Sequence, residues 1–457
     1  MKAQTVIPLL LSGALLFLPS SVPTAGTAGT SAVTGAPWFT AEVDTDGDTG
    51  QYVSVAYDPF TRGTYVSYYD ATNQKLRIAR DDRATSNCGP GDEWYCMTLD
   101  GDATDVGRYS SIAVRPDGNG MGIAYYDAVN GALKYLEFDN PYLWVYSVIT
   151  VDRGIAPVSS TGLYTSLRYN GPDQPVIAYY FDNPSPGGAD ALMLAYYSWA
   201  SGNCVNGDDP DAWRCETIIT GEGVGQYASL FIQGEWNFHV AYYDGGNGDL
   251  WYATSVGDGN CGPYGNDWVC YPVSVSGDVG KYASLYVDSG GHFHIAYYSA
   301  TDDALMYATN AVSSGNCGLL NSAQCDEIDA MPQDYHPLGI SIAEDAAGYP
   351  IIAYQGEYGS LKIARPLDAL GMPPGAGNCG PEVGLFTTWY CETIDPYVSK
   401  FNFSYRNGDY ASIAVSPAGL ATIAYYRLYT HVEPDDGNLV IARQRLQVYL
   451  PLAVKNQ

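Results

Sequence analysis

The residues best suited to chemistry in this chain are aspartates that recur beside tyrosines. One set directly follows a Tyr-Tyr pair and another precedes a Gly-x-Tyr segment: Asp70, Asp127 and Asp244, then Asp48, Asp105 and Asp278. Such carboxylates can bind a cation, or they can accept hydrogen bonds from the hydroxyl groups of a polar ligand. They also suit tight turns, in which an Asp side chain accepts backbone N–H groups. The sequence leaves both roles open.

The densest acidic segment is Asp44-Thr-Asp46-Gly-Asp48, in which carboxylates alternate with small residues. Alternating oxygen ligands suit calcium, so Asp44, Asp46 and Asp48 are the candidate metal ligands and calcium is the candidate cofactor. The segment is not an EF-hand loop, because Thr49 and Val55 occupy the positions that would require Gly and Glu. Turn formation by the same three aspartates is the alternative.

Histidine offers a second, weaker metal pattern. His239 and His294 occupy the same place in neighbouring repeats, and His292 lies two residues before the latter. Two histidines on one face of a strand could ligate zinc if a third ligand came from an adjacent strand. Other repeats place apolar or aromatic residues at this position, including Tyr65 and Val176, which favours packing over zinc binding.

A repeated motif organises these residues along the chain. Its core reads Gly-x-Tyr-x-Ser, then Ala-Tyr-Tyr-Asp, then Leu-x-Tyr-Ala or a close variant. The first part occurs seven times, once with Gly in place of Tyr: Tyr52/Ser54, Tyr109/Ser111, Tyr164/Ser166, Tyr227/Ser229, Tyr282/Ser284, Gly339/Ser341 and Tyr410/Ser412. A period of roughly 55 to 70 residues is the size of one four-stranded propeller blade.

The second repeat illustrates the strand pattern. Alternation of apolar and polar residues predicts four strands over 109–115, 121–127, 133–138 and 144–151, with turn residues between them. Adjacent tyrosines point to opposite faces of a strand, which favours sheets packed on both faces over a role in sugar stacking. The Ser of Tyr-x-Ser and the Asp of Tyr-Tyr-Asp are the expected hydrogen-bonding partners of the buried phenols.

The two ends of the chain predict how the ring closes. Most repeats begin their fourth strand with Trp, and an extra copy of this strand, starting at Trp38, precedes the first repeat. The last repeat stops after its third strand, near Arg443. We therefore predict an all-β fold, a seven-bladed β-propeller of four-stranded blades whose last blade is completed by the N-terminal strand.

The cysteines support export from the cell. Ten cysteines form five local pairs at one point of the repeat, which predicts the disulfides Cys88–Cys96, Cys204–Cys215, Cys261–Cys270, Cys317–Cys325 and Cys379–Cys391. Zinc binding by thiolates is the alternative, but zinc sites favour Cys-x2-4-Cys pairs that converge in fours. Each disulfide would join the ends of a hairpin between the third and fourth strands.

The termini predict processing. Residues 1–28 read as a secretory signal peptide, 29–37 as a linker, 38–445 as the propeller and 446–457 as a C-terminal tail. No segment predicts a transmembrane helix, so we expect the protein to be secreted or held at the cell surface. We also expect a monomer. The apolar tail resembles the short Leu-Pro-Leu tails of exported bacterial proteins. It could serve as a sorting signal or pack against the closing blade.

Net charge excludes one class of partner. The chain has a formal charge of −29 and only 21 basic residues, so it lacks the Lys/Arg surface that neutralises phosphates. A nucleic acid is therefore not expected as a partner. An acidic surface could attract cations or keep the protein in solution.

These Tyr-x-Ser, Tyr-Tyr-Asp and Leu-x-Tyr-Ala units resemble those of secreted bacterial β-propeller proteins, loosely similar to sialidase and lectin propellers. The resemblance covers about residues 38–445. A sialidase would need an arginine cluster, and Arg108, Arg168 and Arg406 lie near first strands. However, the chain has no Arg-Ile-Pro motif, no Ser-x-Asp-x-Gly-x-Thr-Trp box and no Gly-x-Ser-x-Gly motif.

In a propeller, the segment entering each first strand and the loop between second and third strands share one face, so the two aspartate sets should form an acidic rim around the channel. We therefore predict a binding module for glycans or an extracellular protein. Its candidate ligand-binding residues are Asp70, Asp127, Asp244, Asp105, Asp278, Arg406 and Arg427.

Two alternatives stay open. One is a sialidase-like or other carbohydrate-active hydrolase. Its candidate location is the two repeats that differ from the common motif, around Gly339 and Tyr410, with His431 and Glu433 nearby. The other is a passive structural protein of the cell surface. We favour binding over catalysis, because carboxylates that recur with the repeat do not form one specialised catalytic pair.

Overall fold

The computed structural model describes residues 37–445 apart from 83, 92, 141–144, 155–158, 186, 200–201, 205–206, 332–337, 374, 384–385, 401–402 and 431–435. The predicted signal peptide, nearly all of the linker, the C-terminal tail, and the candidates His431 and Glu433 lie outside the described residues. Among the residues described, no helix is both long and apolar enough to cross a membrane.

Seven antiparallel sheets form the blades of a β-propeller, which confirms the predicted fold. Blade 1 contains β2 (Thr49–Asp58), β3 (Gly63–Asp70), β4 (Lys75–Asp81) and β5 (Trp94–Leu99). Blade 2 contains β6 (Val106–Val114), β7 (Met121–Asp127), β8 (Ala132–Asn140) and β9 (Val145–Arg153). Blade 3 contains β10 (Ser160–Asn170), β11 (Gln174–Asp182), β12 (Asp190–Tyr197) and β13 (Trp213–Gly221). Blades 4 and 5 contain β14 (Val224–Ile232), β15 (Phe238–Asp244), β16 (Asp249–Thr254), β17 (Val269–Ser274); β18 (Val279–Val287), β19 (Phe293–Ser299), β20 (Ala304–Thr309), β21 (Gln324–Ala330).

Two blades carry a short fifth strand that the sequence did not predict. Blade 6 contains β22 (Ile340–Glu344), β23 (Pro350–Gly356), β24 (Ser360–Pro366), β26 (Phe386–Asp395) and the extra β25 (Cys379–Val383). Blade 7 contains β1 (Trp38–Asp44), β28 (Phe403–Val415), β29 (Ala421–Thr430), β30 (Asp436–Gln444) and the extra β27 (Val398–Lys400). Three 3₁₀ turns lie in connections between strands, at Leu319–Asn321, Glu357–Gly359 and Leu367–Leu370.

The closing blade joins the two ends of the chain as predicted. Strand β1 pairs antiparallel with β30, with Phe39 opposite Arg443 and Asp44 opposite Leu439. Because β1 is the outermost strand of this blade, the ring has no unpaired gap between its first and last repeats.

The Ser of every Tyr-x-Ser unit joins one blade to the next. Its hydroxyl accepts a hydrogen bond from a backbone N–H in the first strand of the following blade, at 3.2 Å from Ile112 to Ser54 in blade 1. The other six bonds measure 2.9–3.1 Å, and the last runs from Val55 back to Ser412 across the closure. The prediction that these serines bond to the phenols is wrong.

The Gly of Gly-x-Tyr allows blades to approach closely. A Cβ atom on Gly107 would lie 2.7 Å from Cα of Leu76 in the preceding blade, and Gly107 has φ of 112°. Only glycine combines this contact with that backbone conformation.

Both tyrosines of each Tyr-Tyr pair are buried, as two-sided packing requires. In blade 1, Tyr68 is 0% and Tyr69 3% exposed. The apolar core lies between blades, so that one cluster joins Leu76 and Ile78 of blade 1 to Ile123 of blade 2. Alternating residues of a strand therefore contact the blades on either side.

The five predicted disulfides are all present. Each joins the hairpin before the fourth strand, and the described residues contain no free cysteine. The Asn before the first cysteine adds a second link across the hairpin: the Asn87 side chain accepts from Cys96 N at 2.7 Å and donates to Cys96 O at 2.9 Å.

Candidate functional site

The mouth of the channel is built by a bulge in the first strand of every blade except blade 6. In blade 1 the register with β3 shifts between Gln51 and Ser54, and Tyr52 lies inside this bulge. Tyr52, Tyr109, Tyr164, Tyr227, Tyr282 and Tyr410 all have φ between 50° and 56°. A bulky residue rarely adopts this left-handed conformation. Six repeats therefore share a strained backbone that places a phenol at the channel.

These six tyrosines, which we call the inner ring, contact one another in sequence around the channel. Neighbouring ring centroids lie 4.5–4.8 Å apart from Tyr410 through Tyr52 to Tyr282. They line a cavity of about 180 Å³. Burial, helped by neighbouring phenols, raises the pKa of Tyr109 above its ordinary value. Its phenol therefore keeps its proton at neutral pH and can donate a hydrogen bond.

The inner ring is open at blade 6. Gly339 replaces the tyrosine there, and a Cβ at this position would lie 2.7 Å from Cα of Tyr410. Glycine thus lets the backbone of blade 7 approach, and it leaves one side of the cavity without a phenol. The sequence had marked this repeat as a departure from symmetry.

The second tyrosine of five Tyr-Tyr pairs supports the inner ring from outside. Tyr69 packs edge-on against Tyr52 with centroids 6.2 Å apart, and four other pairs lie at 6.0–6.3 Å. The hydroxyl of Tyr69 donates to Asp105 of the next blade at 2.9 Å. Burial raises the pKa of Tyr69 to about 12. This outer ring therefore links the mouth to the aspartates that precede Gly-x-Tyr.

Those aspartates lie at the mouth, bonded to phenols. Tyr243 donates to Asp278 at 2.7 Å, and Tyr426 donates to Asp48 at 2.7 Å across the closure. Burial raises the pKa of Asp48 despite this bond. At Asp278 burial acts in the same direction, but hydrogen bonds from Lys281 and Tyr243 outweigh it and lower the pKa.

Basic side chains stand beside two of these carboxylates. Arg108 lies 3.0 Å from Asp105, and Lys281 lies 2.6 Å from Asp278. The four side chains keep 19–42% of their surface exposed. The mouth is therefore a rim of phenols and paired charges rather than a purely acidic ring.

The aspartates after Tyr-Tyr take the alternative role, that of turn formation. Asp70, Asp127 and Asp244 are 1–5% exposed. In blade 2, Asp127 accepts bonds from the backbone N–H and the side-chain amide of Asn130, at 2.9 and 2.8 Å. The turn itself adjoins the rim, since Ala71 N donates to the carbonyl of Asp48 at 2.8 Å. The loops share a face as expected, but these three carboxylates point into their own turns.

The two candidate arginines differ in their surroundings. Arg406 is partly exposed and lies 3.0 Å from the buried Asp409. Arg427 is 12% exposed and bridges Glu42 of β1 to Asp395, at 2.6 and 2.5 Å. Arg427 therefore ties the N-terminal strand into blade 7, whereas Arg406 belongs to the rim.

The three aspartates of the calcium candidate do not converge. Asp44 lies 3.2 Å from Arg77 and accepts from Tyr68 at 2.6 Å, whereas Asp48 is bonded to Tyr426. Nowhere in the described part of the chain do three His, Cys, Asp or Glu side chains group as metal ligands would. The geometry assigns Asp44 and Asp48 to contacts between blades.

The histidines have local partners, and His292 and His294 share the carboxylate of Asp288, at 3.1 and 3.4 Å. His239 Nδ1 lies 2.6 Å from the Tyr252 hydroxyl, and burial lowers the pKa of His239 to about 4. His294 lies 2.5 Å from Tyr307 and 3.4 Å from Asp288. Each imidazole packs in its own blade, as the alternative to zinc predicted.

The sequence missed a buried tyrosine–aspartate contact between blades. The first tyrosine of the pair donates to an aspartate that ends the fourth strand of the preceding blade: Tyr68 to Asp44, Tyr125 to Asp100, Tyr179 to Asp152, Tyr354 to Asp329 and Tyr425 to Asp395. Two blades lack this aspartate, since Ile219 and Ser274 occupy the corresponding positions, opposite Leu192 and Leu250. The recurring Asp about six residues after Trp was the available signal.

It also missed two exposed tryptophans. Trp199 and Trp236 are 63% and 49% exposed, and both have positive φ. They lie in hairpins on the face opposite the tyrosine rings, at positions where no other repeat has Trp. That break in the repeat was the available signal.

No protein-family model matches this chain, and no curated protein matches it. Solved structures with a similar overall arrangement include an oligogalacturonate lyase in complex with manganese, at 9% identity and a TM-score of 0.45, covering 90% of this chain and 98% of that one. A protein of unknown function from Dyadobacter fermentans has 11% identity, a TM-score of 0.44 and the same coverages. The NanB sialidase from Streptococcus pneumoniae has 10% identity and a TM-score of 0.41, with 89% and 70% covered. These weak likenesses leave function to be argued from the residues.

Proposed function

We propose that this chain is an extracellular binding module that recognises glycans at the tyrosine-lined mouth of its channel. The observation that supports this most is the inner ring of partly exposed tyrosines with partly exposed charged side chains at its edge. Phenols can stack on sugar rings, and their hydroxyls can bond to sugar hydroxyls. The five disulfides support an oxidising, extracellular location.

The bonding of Asp105 and Asp278 favours binding over catalysis. Asp105 is held by Tyr69 and Arg108, and Asp278 by Tyr243 and Lys281. A glycoside hydrolase needs one carboxylic acid that donates a proton at its working pH and a second, separate carboxylate. Hydrogen bonds to the ionised form lower the pKa of Asp278, which opposes a role as the acid.

The test is a glycan array probed with the exported protein, with and without EDTA. We expect binding to a set of glycans, and an Asp278→Asn variant should weaken it by about tenfold, equivalent to about 1.4 kcal/mol. The control is Asp258→Asn, an exposed aspartate in the hairpin of the Cys261–Cys270 disulfide, which joins β16 to β17 on the face opposite the rim. Equal binding by both variants would place the ligand elsewhere. Loss of binding in EDTA would show that the site also requires calcium. If no glycan on the array binds, a protein partner or a structural role is favoured.

A further inference from the structure

A cleft between blades 2 and 3 lies away from the tyrosine rings. Its volume is about 360 Å³, within the range of small-molecule sites, which is roughly 300–1,000 Å³. Trp199 lines it, and its ring lies 4.8 Å from that of Tyr197, edge-on. Trp199 is 63% exposed and has φ of 65°, so a strained backbone holds a large apolar ring in water. Such strain is typical of residues that contact ligands.

Hydrogen-bond donors in the same cleft lack acceptors. Trp213 is 1% exposed, and its indole Nε1 has no hydrogen-bonding partner among the described residues. The Nε atom of Arg115 is also buried and unpaired there. Leaving a buried donor unpaired costs about 1–3 kcal/mol. Protein atoms cover both donors, so a ligand that shifts the covering side chains and offers acceptor oxygens would recover that cost.

The charges around the cleft oppose an anionic ligand. Arg115 forms an ion pair with Glu137. Asp173 and Asp209 also line the cleft, are exposed, and have no basic partner among the described residues. Three carboxylates against one guanidinium leave an excess of two negative charges. An acidic sugar or a phosphate would be repelled, whereas hydroxyl groups could donate to the carboxylates.

We infer that this cleft is a second binding site, which takes a neutral pyranose stacked on Trp199. The sugar oxygens accept from Trp213, and the sugar hydroxyls donate to Asp173 and Asp209. A cationic ligand would suit the aromatic and acidic groups but could not accept from the indole, so it fits less well. The site is separate from the channel mouth and does not depend on the proposal made for it.

The experiment measures Trp fluorescence and calorimetric binding with defined probes. These are cellohexaose, mannohexaose and chitohexaose as neutral oligosaccharides, trigalacturonate and sialyllactose as acidic ones, and choline as a cation. We expect at least one neutral probe to bind, and Trp199→Ala should weaken it by about tenfold or more. Trp199→Phe, which keeps an aromatic face, should retain part of the affinity.

The matched control is Trp236→Ala, which removes the other exposed, positive-φ tryptophan on the same face but outside the cleft. Its affinity should equal that of the unmodified protein, and unchanged melting temperatures should show that all variants fold. The inference is overturned if no neutral probe binds, if Trp199→Ala binds normally, or if acidic probes or choline bind better. Asp278→Asn should leave this site intact, so failure at the mouth and failure at the cleft are distinguishable.

Discussion

Removal of one buried hydroxyl should have different consequences for stability in two blades. Tyr179 and Tyr242 occupy the same repeat position, and both are 0% exposed. The hydroxyl of Tyr179 donates to Asp152 at 2.9 Å, whereas that of Tyr242 has no hydrogen-bonding partner among the described residues. Replacing each by Phe changes one atom in matched surroundings. Tyr179→Phe should destabilise the fold, and Tyr242→Phe should leave it unchanged or slightly more stable.

The size of the difference follows from the charge on the acceptor. A hydrogen bond to a charged group contributes about 1.5–3 kcal/mol. Unfolding entropy is about 2.1 cal/mol/K per residue, so a propeller of roughly 400 residues gives about 0.85 kcal/mol/K. Tyr179→Phe should therefore lower the melting temperature by about 2–4 °C. Calorimetry of the two variants beside the unmodified protein measures this.

The effect should also depend on pH. Burial raises the pKa of Asp152, and the bonds from Tyr179 and Thr161 oppose that rise. A raised pKa in the folded state means that ionised Asp152 opposes folding, so its stabilising contribution is full at low pH and is lost as pH rises through the folded pKa. Without Tyr179 the pKa rises further, and the loss at pH 7 grows. The destabilisation should be larger at pH 7 than at pH 4; equal values at both, or equal loss in Tyr242→Phe, would refute the reasoning.

Two further changes test the packing between and within blades. Burial lowers the pKa of His239 to about 4, so the fold should lose stability, on the order of 3 kcal/mol, as pH falls from about 6.5 to 4. His239→Gln should therefore flatten that part of a plot of melting temperature against pH. An unchanged slope in the variant would contradict this. Gly107→Ala places a Cβ 2.7 Å from Cα of Leu76 at a φ of 112°, so it should cost about 1–3 kcal/mol in denaturant unfolding. Gly101→Ala, which has no neighbour within 4 Å, should stay within about 0.5 kcal/mol, and similar losses in both would disprove the close-approach argument.

Much of the fold was predictable because each blade repeats the same local pattern. Alternation placed the strands of blade 2 within a few residues of β6, β7 and β8, and the unmatched strand at Trp38 predicted the closure. The extra strands β25 and β27 were missed because they occur once each and follow no repeat.

The candidate site was predicted less well. Sequence spacing brought Asp105 and Asp278 to the mouth, but it could not tell them from Asp70, whose carboxylate faces its own turn. A turn residue and a rim residue are both acidic and both lie next to tyrosines. The two sets hold different positions in the repeat, but spacing alone does not give the direction of either side chain.

By itself, the sequence determined the number of blades, the strand that closes the ring and the five disulfides, because all three follow from periodic or local spacing. Only the tertiary structure decided which groups meet across blades. Tyr426 reaches Asp48 from the other end of the chain, and Trp199 shares a cleft with Arg115 of the neighbouring blade. Such contacts depend on how the sheets are angled around the channel, since the partners are far apart in sequence and no local propensity selects them.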